Sequence, residues 1–311
     1  MALGVCCHWI RHEVAPRSGK SQVINELDER TLQLGRYERG SYAEDSIRSL
    51  YLHNVRMLRD VLRKVAASGV RLFRVSSAMF PLSDRVPRGL WDNEVVKREL
   101  MLCGEVARKH GIRLTTHPGQ FCVLSSDSDS VVEKAVVELE HHAWMFDSMG
   151  LPRSPYAAIN VHGGKSDRVS RLIDAIRSLP EASRSRLTLE NDETCYSLVD
   201  LLPVALETGV SLVWDSHHHV FNDGGLDGAE AADAADETWP KGVKPLQHIS
   251  NTEPGMEGGS FTERRKHSNM IHYVPEIQLE RLRRDAVDVE VEAKLKNLAV
   301  FDMSKKFSIP L

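Results

Sequence analysis

Eight short apolar runs alternating with amphipathic stretches constrain this 311-residue chain more than any other feature. The runs are Leu3 to Cys7, Leu72 to Ser76, Ile112 to Thr116, Ala157 to Val161, Leu187 to Leu189, Leu212 to Trp214, Leu246 to Ile249 and Val287 to Val291. Most are rich in Val, Ile, Leu or Thr, as strands buried on both faces should be. Helices are expected at Glu44 to Ser68, Asp92 to His110, Asp129 to Met149, Ser166 to Ser178, Leu198 to Thr208, Ala229 to Asp236 and Pro275 to Arg284, several of them stopped by a following glycine. Strands that alternate with helices pair in parallel through right-handed crossovers. Eight such units in a chain of this length close into a (β/α)8 barrel, so residues 1–311 are expected to form a single TIM-barrel domain. An open doubly wound sheet is the competitor, but no GxGxxG follows the first run, where His8 and Trp9 stand instead. Residues 12–40 and 251–266 carry Lys, Arg, Gly and polar side chains and read as long functional loops.

Composition narrows the function classes. A net charge of −4 argues against a uniformly basic coat, and no apolar run approaches the roughly 18 to 20 residues that span a bilayer. The five cysteines are odd in number and lack a CxxC, which suggests neither a disulfide framework nor a thiolate zinc site. A cytoplasmic or nucleoid-associated protein is expected. The unusual count is 14 histidines, and their placement matters more than their number.

In a parallel barrel, residues leaving the carboxyl ends of the strands converge on one face. Here those residues are His117-Pro118-Gly119-Gln120, His162-Gly163-Gly164, Glu190 to Glu193, Asp215 to His219, His248 with the nearby His267, and Glu292. Imidazoles and carboxylates without thiolates suit Zn, Mn or Fe(II) better than Ca or Mg. There are too many for one ion. Two or three ions sharing carboxylates need about this number of ligands, and paired ions form the clamp used in phosphodiester hydrolysis. The run His217-His218-His219 cannot aim three rings one way, so one or two of them serve.

The segments FRVSSAMFPL (73–82), THPGQF (116–121), NVHGGK (160–165), LENDE (189–193), WDSHHHVFN (214–222), QHIS (247–250), RKHSNM (265–270) and VEAK (291–294) together resemble the UV damage endonuclease family. The resemblance covers most of the chain. It implies a TIM barrel with a trinuclear, usually manganese, site that nicks DNA immediately 5′ of a UV photoproduct by metal-activated hydroxide attack and leaves a 3′-hydroxyl. By matched position the metal ligands are His117, His162, Glu190, Asp215, His218, His248, His267 and Glu292, with Glu190, Asp215 and Glu292 as the catalytic carboxylates. Gln120 and Phe121 match a polar and an aromatic probe pushed into the duplex at the lesion.

Two positions depart from the family pattern. A Lys two residues before the strand-seven His, often carbamylated and metal-ligating, is here Leu246; Lys244 would face the other way, and the site would hold its metals with fewer bridges, bind two ions more tightly than a third, or recruit Gln247 or water instead. At the amino terminus Val5 and Trp9 stand where the family offers a Tyr and an Asn, and Trp9 could itself stack on DNA.

DNA binding by a chain without net positive charge needs a local basic path. Arg36 and Arg39, Lys165 and Arg168, and above all Arg264, Arg265 and Lys266 beside His267, are the candidates. The expected protein is a monomeric repair endonuclease acting on damaged double-stranded DNA, with abasic sites as further substrates and Zn as an alternative to Mn. The competing expectation is a metal-dependent sugar isomerase or epimerase on the same barrel.

Overall fold

The computed structural model describes residues 2–14 and 21–311. Eight parallel strands close into a barrel: β1 (Ala2–Cys6), β4 (Leu72–Val75), β5 (Arg113–Thr116), β6 (Ile159–His162), β7 (Leu187–Glu190), β8 (Ser211–Asp215), β9 (Leu246–Ile249) and β10 (Asp288–Val291), with β1 hydrogen-bonded to both β4 and β10. The TIM barrel expected from the alternation is the observed fold. Among the described residues no helix is long and apolar enough to cross a membrane.

Helices cover the barrel where an apolar stripe recurs at helical spacing. The longest, Glu44–Ser68, buries Ile47, Leu50, Tyr51, Val55, Leu58, Leu62 and Val65 and stops at Gly69, whose φ of 93° an L side chain rarely adopts. The helix Leu198–Thr208 is opened by a reciprocal capping box between Ser197 and Asp200.

Three regions differ from expectation. The segment 12–40 is not one irregular loop. It contains most of an antiparallel hairpin of β2 (Ile10–Val14) and β3 (Ser21–Asn25) and a short helix, Leu34–Glu38; residues 15–20 of that loop lie outside the described residues. A final helix, Lys296–Phe307, closes the chain, and its Phe301 meets Trp9 edge-on at 5.9 Å. The segment 251–266 carries a one-turn helix, Phe261–Arg264, and its base is pinned by a Thr252–His267 bridge and by the Ser268 N–H donating to Asn251 O at 2.8 Å.

The two ends of the barrel interior are unlike. At the amino end Ala2, Leu72, Ala158, Val213 and Leu246 pack together under Trp239. At the carboxyl end the inward positions are Arg74, Thr115, Asn160, Glu190, Asp215, His248 and Glu290, all buried.

Candidate metal centre and active site

The polar side chains at the carboxyl end gather around Glu190, the last residue of β7, which is 1% exposed. Its Oε2 lies 3.3 Å from His117 Nε2; its Oε1 lies 3.0 Å from His248 Nδ1 and 3.3 Å from His218 Nδ1. Three overlapping groups share Glu190: with His117 and His162, with Asp215 and His218, and with His248 and Glu292, the donor atoms of each lying within 4.8 Å of one another. His267 stands at the edge, its Nε2 3.5 Å from Glu292 Oε2. All eight residues singled out as candidate ligands are therefore brought together.

Local structure explains how each is aimed. Asp215 ends β8, and its Oδ1 accepts the His217 and His218 N–H groups at 2.7 and 2.8 Å, capping the helix Ser216–Phe221. Successive histidines on that helix turn by about 100° each. His218 accordingly faces Glu190, while His217 packs against Phe221 and His219 against Trp214. Asn191 ties the two strand ends, accepting the Asp215 N–H at 2.8 Å and donating to Asp215 O at 3.1 Å. His117 Nδ1 donates to Pro118 O at 2.9 Å, leaving the Nε2 lone pair toward Glu190.

Electrostatics follow from packing carboxylates and imidazoles side by side. Burial alone would raise the Glu190 pKa, but the facing His248 and His162 rings hold the carboxyl well below its usual range. Burial opposes charge on His248 as well, yet the Glu190 carboxylate outweighs it and pushes that imidazole up to about 10. The cluster stabilises positive charge at its centre.

These residues fit divalent cations. Asp215 Oδ2 and His162 Nδ1 are buried and make no hydrogen bond, an expensive arrangement unless something else is coordinated there. Nitrogen and carboxylate oxygen donors without thiolates are the ligand set of Mn, Fe(II) or Zn. A fourth group, Cys6 with Glu290 and Glu292, is a different case, because the Arg74 guanidinium already pairs with both carboxylates.

Comparison with known proteins adds the family. Residues 18–309 match the family described as UV-endonuclease UvdE. The chain belongs to the UvdE family. It is 41% identical over 280 residues to a UV DNA damage endonuclease of Nostoc sp., covering 87% of this chain and 83% of that protein. To a UV DNA damage endonuclease of Deinococcus radiodurans it is 36% identical over 284 residues, covering 88% and 90%. The crystal structure of SacUVDE superposes with a TM-score of 0.75 at 26% identity, over 91% of this chain and 94% of that one. An L-ribulose 3-epimerase, at a TM-score of 0.52 and 16% identity over 81% of each chain, shares the fold alone.

Around this UvdE-family centre the rim residues divide. Gln120 and Phe121 project from the turn after β5, and Phe121 is 79% exposed. The turn beneath is anchored, with Cys122 buried and the Gly119 N–H donating to Glu138 at 2.9 Å. Arg264 lies over the Phe221 ring, Arg265 pairs with Glu193, and Lys266 is exposed. Lys165 and Arg168 both pair with Asp127, which offsets part of their charge.

Trp9 corrects an expectation. It is 7% exposed and packs on Phe301 in the core, because the chain turns sharply at Cys7 and Asn297 holds the next backbone group, accepting the Ile10 N–H at 2.7 Å. A stacking role on DNA is closed to it, and Val5 is fully buried in β1.

The Leu246 departure also resolves. Leu246 packs at the amino end of the barrel, two residues below His248. Gln247 turns outward to Asp236 and Gln278 and does not reach the cluster. Lys244 shares the parity of Leu246 and His248, contrary to expectation; it precedes β9 and pairs with Asp285 and Asp288 at the barrel floor.

Three residues at the site escaped the sequence reading. Asn160 donates to Glu190 Oε2 at 2.5 Å and accepts from Thr188 Oγ1 at 2.8 Å. Arg74 pairs with Glu292 at 2.5 Å and with Glu290. Asn160 and Glu290 stand two residues before His162 and Glu292, so the period of two was the available signal.

Proposed function

We propose that this chain is a metal-dependent DNA repair endonuclease that hydrolyses the phosphodiester immediately 5′ of a UV photoproduct in duplex DNA and leaves a 3′-hydroxyl. Abasic sites are proposed as further substrates. The observation that carries the reading is the set of three donor groups sharing Glu190 in a UvdE-family chain whose relatives are named UV DNA damage endonucleases.

His117, His162, Glu190, Asp215, His218, His248, His267 and Glu292 would hold two or three divalent ions, manganese first and zinc second. Such ions supply Lewis acidity to the phosphate and lower the pKa of an attacking water. The chain's own contribution is position. Glu190 spans the three groups, Asn160 fixes its Oε2, and Asp215 is locked by the helix it caps and by Asn191. Gln120 and Phe121 are proposed to enter the duplex at the lesion, where an aromatic wedge stacks on unpaired bases and an amide reaches base edges. Arg264, Arg265 and Lys266, together with Lys165, are proposed to contact phosphates. One chain supplies every donor, which supports a single-domain monomer as the active unit.

A sugar isomerase or epimerase would use similar donors. Nothing in a small-sugar pocket calls for an exposed Phe121 or a basic rim. The deciding test is incubation with Mn²⁺ and two labelled duplexes, one UV-irradiated and one untreated. Cleavage of the irradiated strand alone, with a product end that polymerase extends, is the expected result; no cleavage of either with Mn²⁺, Zn²⁺ or Mg²⁺ would refute the reading.

A further inference from the structure

Below the donor cluster the barrel holds a second carboxylate layer. Glu290 lies on β10 in register with His248 on β9, and both point into the barrel, 1% and 0% exposed. The His248 ring is gripped from both sides. Nε2 is 3.1 Å from Glu290 Oε2, whereas Nδ1 faces Glu190 Oε1 at 3.0 Å and Glu292 Oε1 at 3.4 Å. Carboxylates only accept, and they face both ring nitrogens; a divalent ion held by Glu190 and Glu292 would take the place of the Nδ1 proton, leaving the Nε2–H donated to Glu290.

Glu290 is itself held by donors from three directions. Its Oε1 accepts from Thr115 Oγ1 on β5, and its Oε2 accepts from Arg74 Nε on β4. Arg74 Nη2 lies 3.3 and 3.0 Å from the two ring nitrogens of His248, and Nη1 reaches Glu292 at 2.5 Å. The space for this network is built into β1. A Cβ at Gly4 would fall 2.6 Å from Leu72 and 3.3 Å from Glu290 Cγ, so the missing side chain there leaves room for Glu290 between its neighbours.

The geometry points to Glu290 as a positioning residue: held by Arg74 and Thr115, it orients His248 so that this imidazole binds metal through Nδ1. This inference rests on the metal-centre reading above and deepens it. It also gives Leu246 a context. The inward carboxylate beside His248 comes from the paired position on β10, not from a side chain two residues earlier on β9.

The test uses Mn²⁺ alone for binding and Zn²⁺ for spectroscopy, on the full chain. Equilibrium dialysis against Mn²⁺ at pH 7.5 compares the unsubstituted protein with Glu290→Gln, which keeps an acceptor but removes the charge, and with Glu290→Leu, which removes both. Glu290→Leu should weaken the site containing His248 by about 10- to 100-fold, the range found when such outer partners are removed, with Glu290→Gln in between. Histidine ¹⁵N spectra of the unsubstituted Zn²⁺-loaded protein provide a readout that needs no variant to fold. They should show His248 metallated at Nδ1 and protonated at Nε2. Metallation at Nε2, or Mn²⁺ affinity unchanged in Glu290→Leu, would overturn the inference while leaving the metal centre standing. Absence of Mn²⁺ and Zn²⁺ binding in the unsubstituted protein would overturn both.

Discussion

Two arginines are buried inside the same barrel, and they do opposite things. Arg113, on β5 at the amino end, spends its donors mainly on main-chain carbonyls, those of Tyr156, Lys244 and Pro155 at 2.8 to 3.0 Å, with Asp288 at 3.0 Å as its counter-charge. Arg74, on β4 toward the carboxyl end, pairs with side chains of the polar network: Glu290, Glu292 and His248. A buried arginine bonded to carbonyls is a fixed strut. One bonded to carboxylates that could also hold a cation belongs to a charge balance that changes when a cation arrives.

The largest expected effect is on the strut. Arg113→Met takes the guanidinium from three carbonyls and leaves Asp288 with Lys244 at 3.6 Å, and should cost about 3 to 5 kcal/mol in denaturant unfolding, with no recovery on adding Mn²⁺. Arg74→Met should cost a similar amount, about 3 to 5 kcal/mol, in metal-free protein, because Glu290 and Glu292 lose the guanidinium they share and keep only imidazole partners. Here Mn²⁺ should restore part of the loss. Equal rescue of both variants, or of neither, would break the comparison.

Imidazoles show the same contrast more gently. Within the cluster, carboxylates push His248 up to about 10; on the helix Asp129–Ser148, burial pushes His141 down to about 4 and His142 to about 3. A histidine kept neutral in the folded state contributes stability that is present above its unfolded pKa near 6.5 and lost as pH falls toward the folded value. Between pH 7 and 5 each should cost about 2 kcal/mol, at about 1.4 kcal/mol per pH unit. His141→Gln should flatten that acid limb in urea titrations; an unchanged slope would show that His141 is not held neutral.

The smallest effect in energy is at the rim. Replacing Gln120 and Phe121 by Ala should leave stability within about 0.5 kcal/mol, since neither side chain is buried. Preference for UV-irradiated over untreated duplex should fall about tenfold, on the order of 1.4 kcal/mol. Competition cleavage assays measure that ratio, and an unchanged ratio would remove these residues from lesion recognition.

Most of the site could be read before the fold was seen, for a geometric reason. Strand ends of a parallel barrel converge wherever they lie in the sequence, so His117, His162, Glu190, Asp215 and His248 could be grouped from position alone. Arg74 and Glu290 could not. A charged residue inside a strand reads as outward-facing until its partner is known, and these partners are 216 residues apart in sequence. The final helix, Lys296–Phe307, was hidden because Leu295 at its start offers no side-chain cap. Strand β2, with sequence IRHEV, carries charges that made a hairpin look like a loop. Trp9 near the first strand end was open to two readings, and only the packing of Phe301 decides between them.

The central claim is that Glu190 is the shared carboxylate of a polynuclear centre. Counting Mn²⁺ per chain by equilibrium dialysis and elemental analysis, for the unsubstituted protein and for Glu190→Gln, tests it most directly. The account predicts two or three ions in the first and at most one in the second, with circular dichroism showing both folded. Equal occupancy in the two proteins would contradict it.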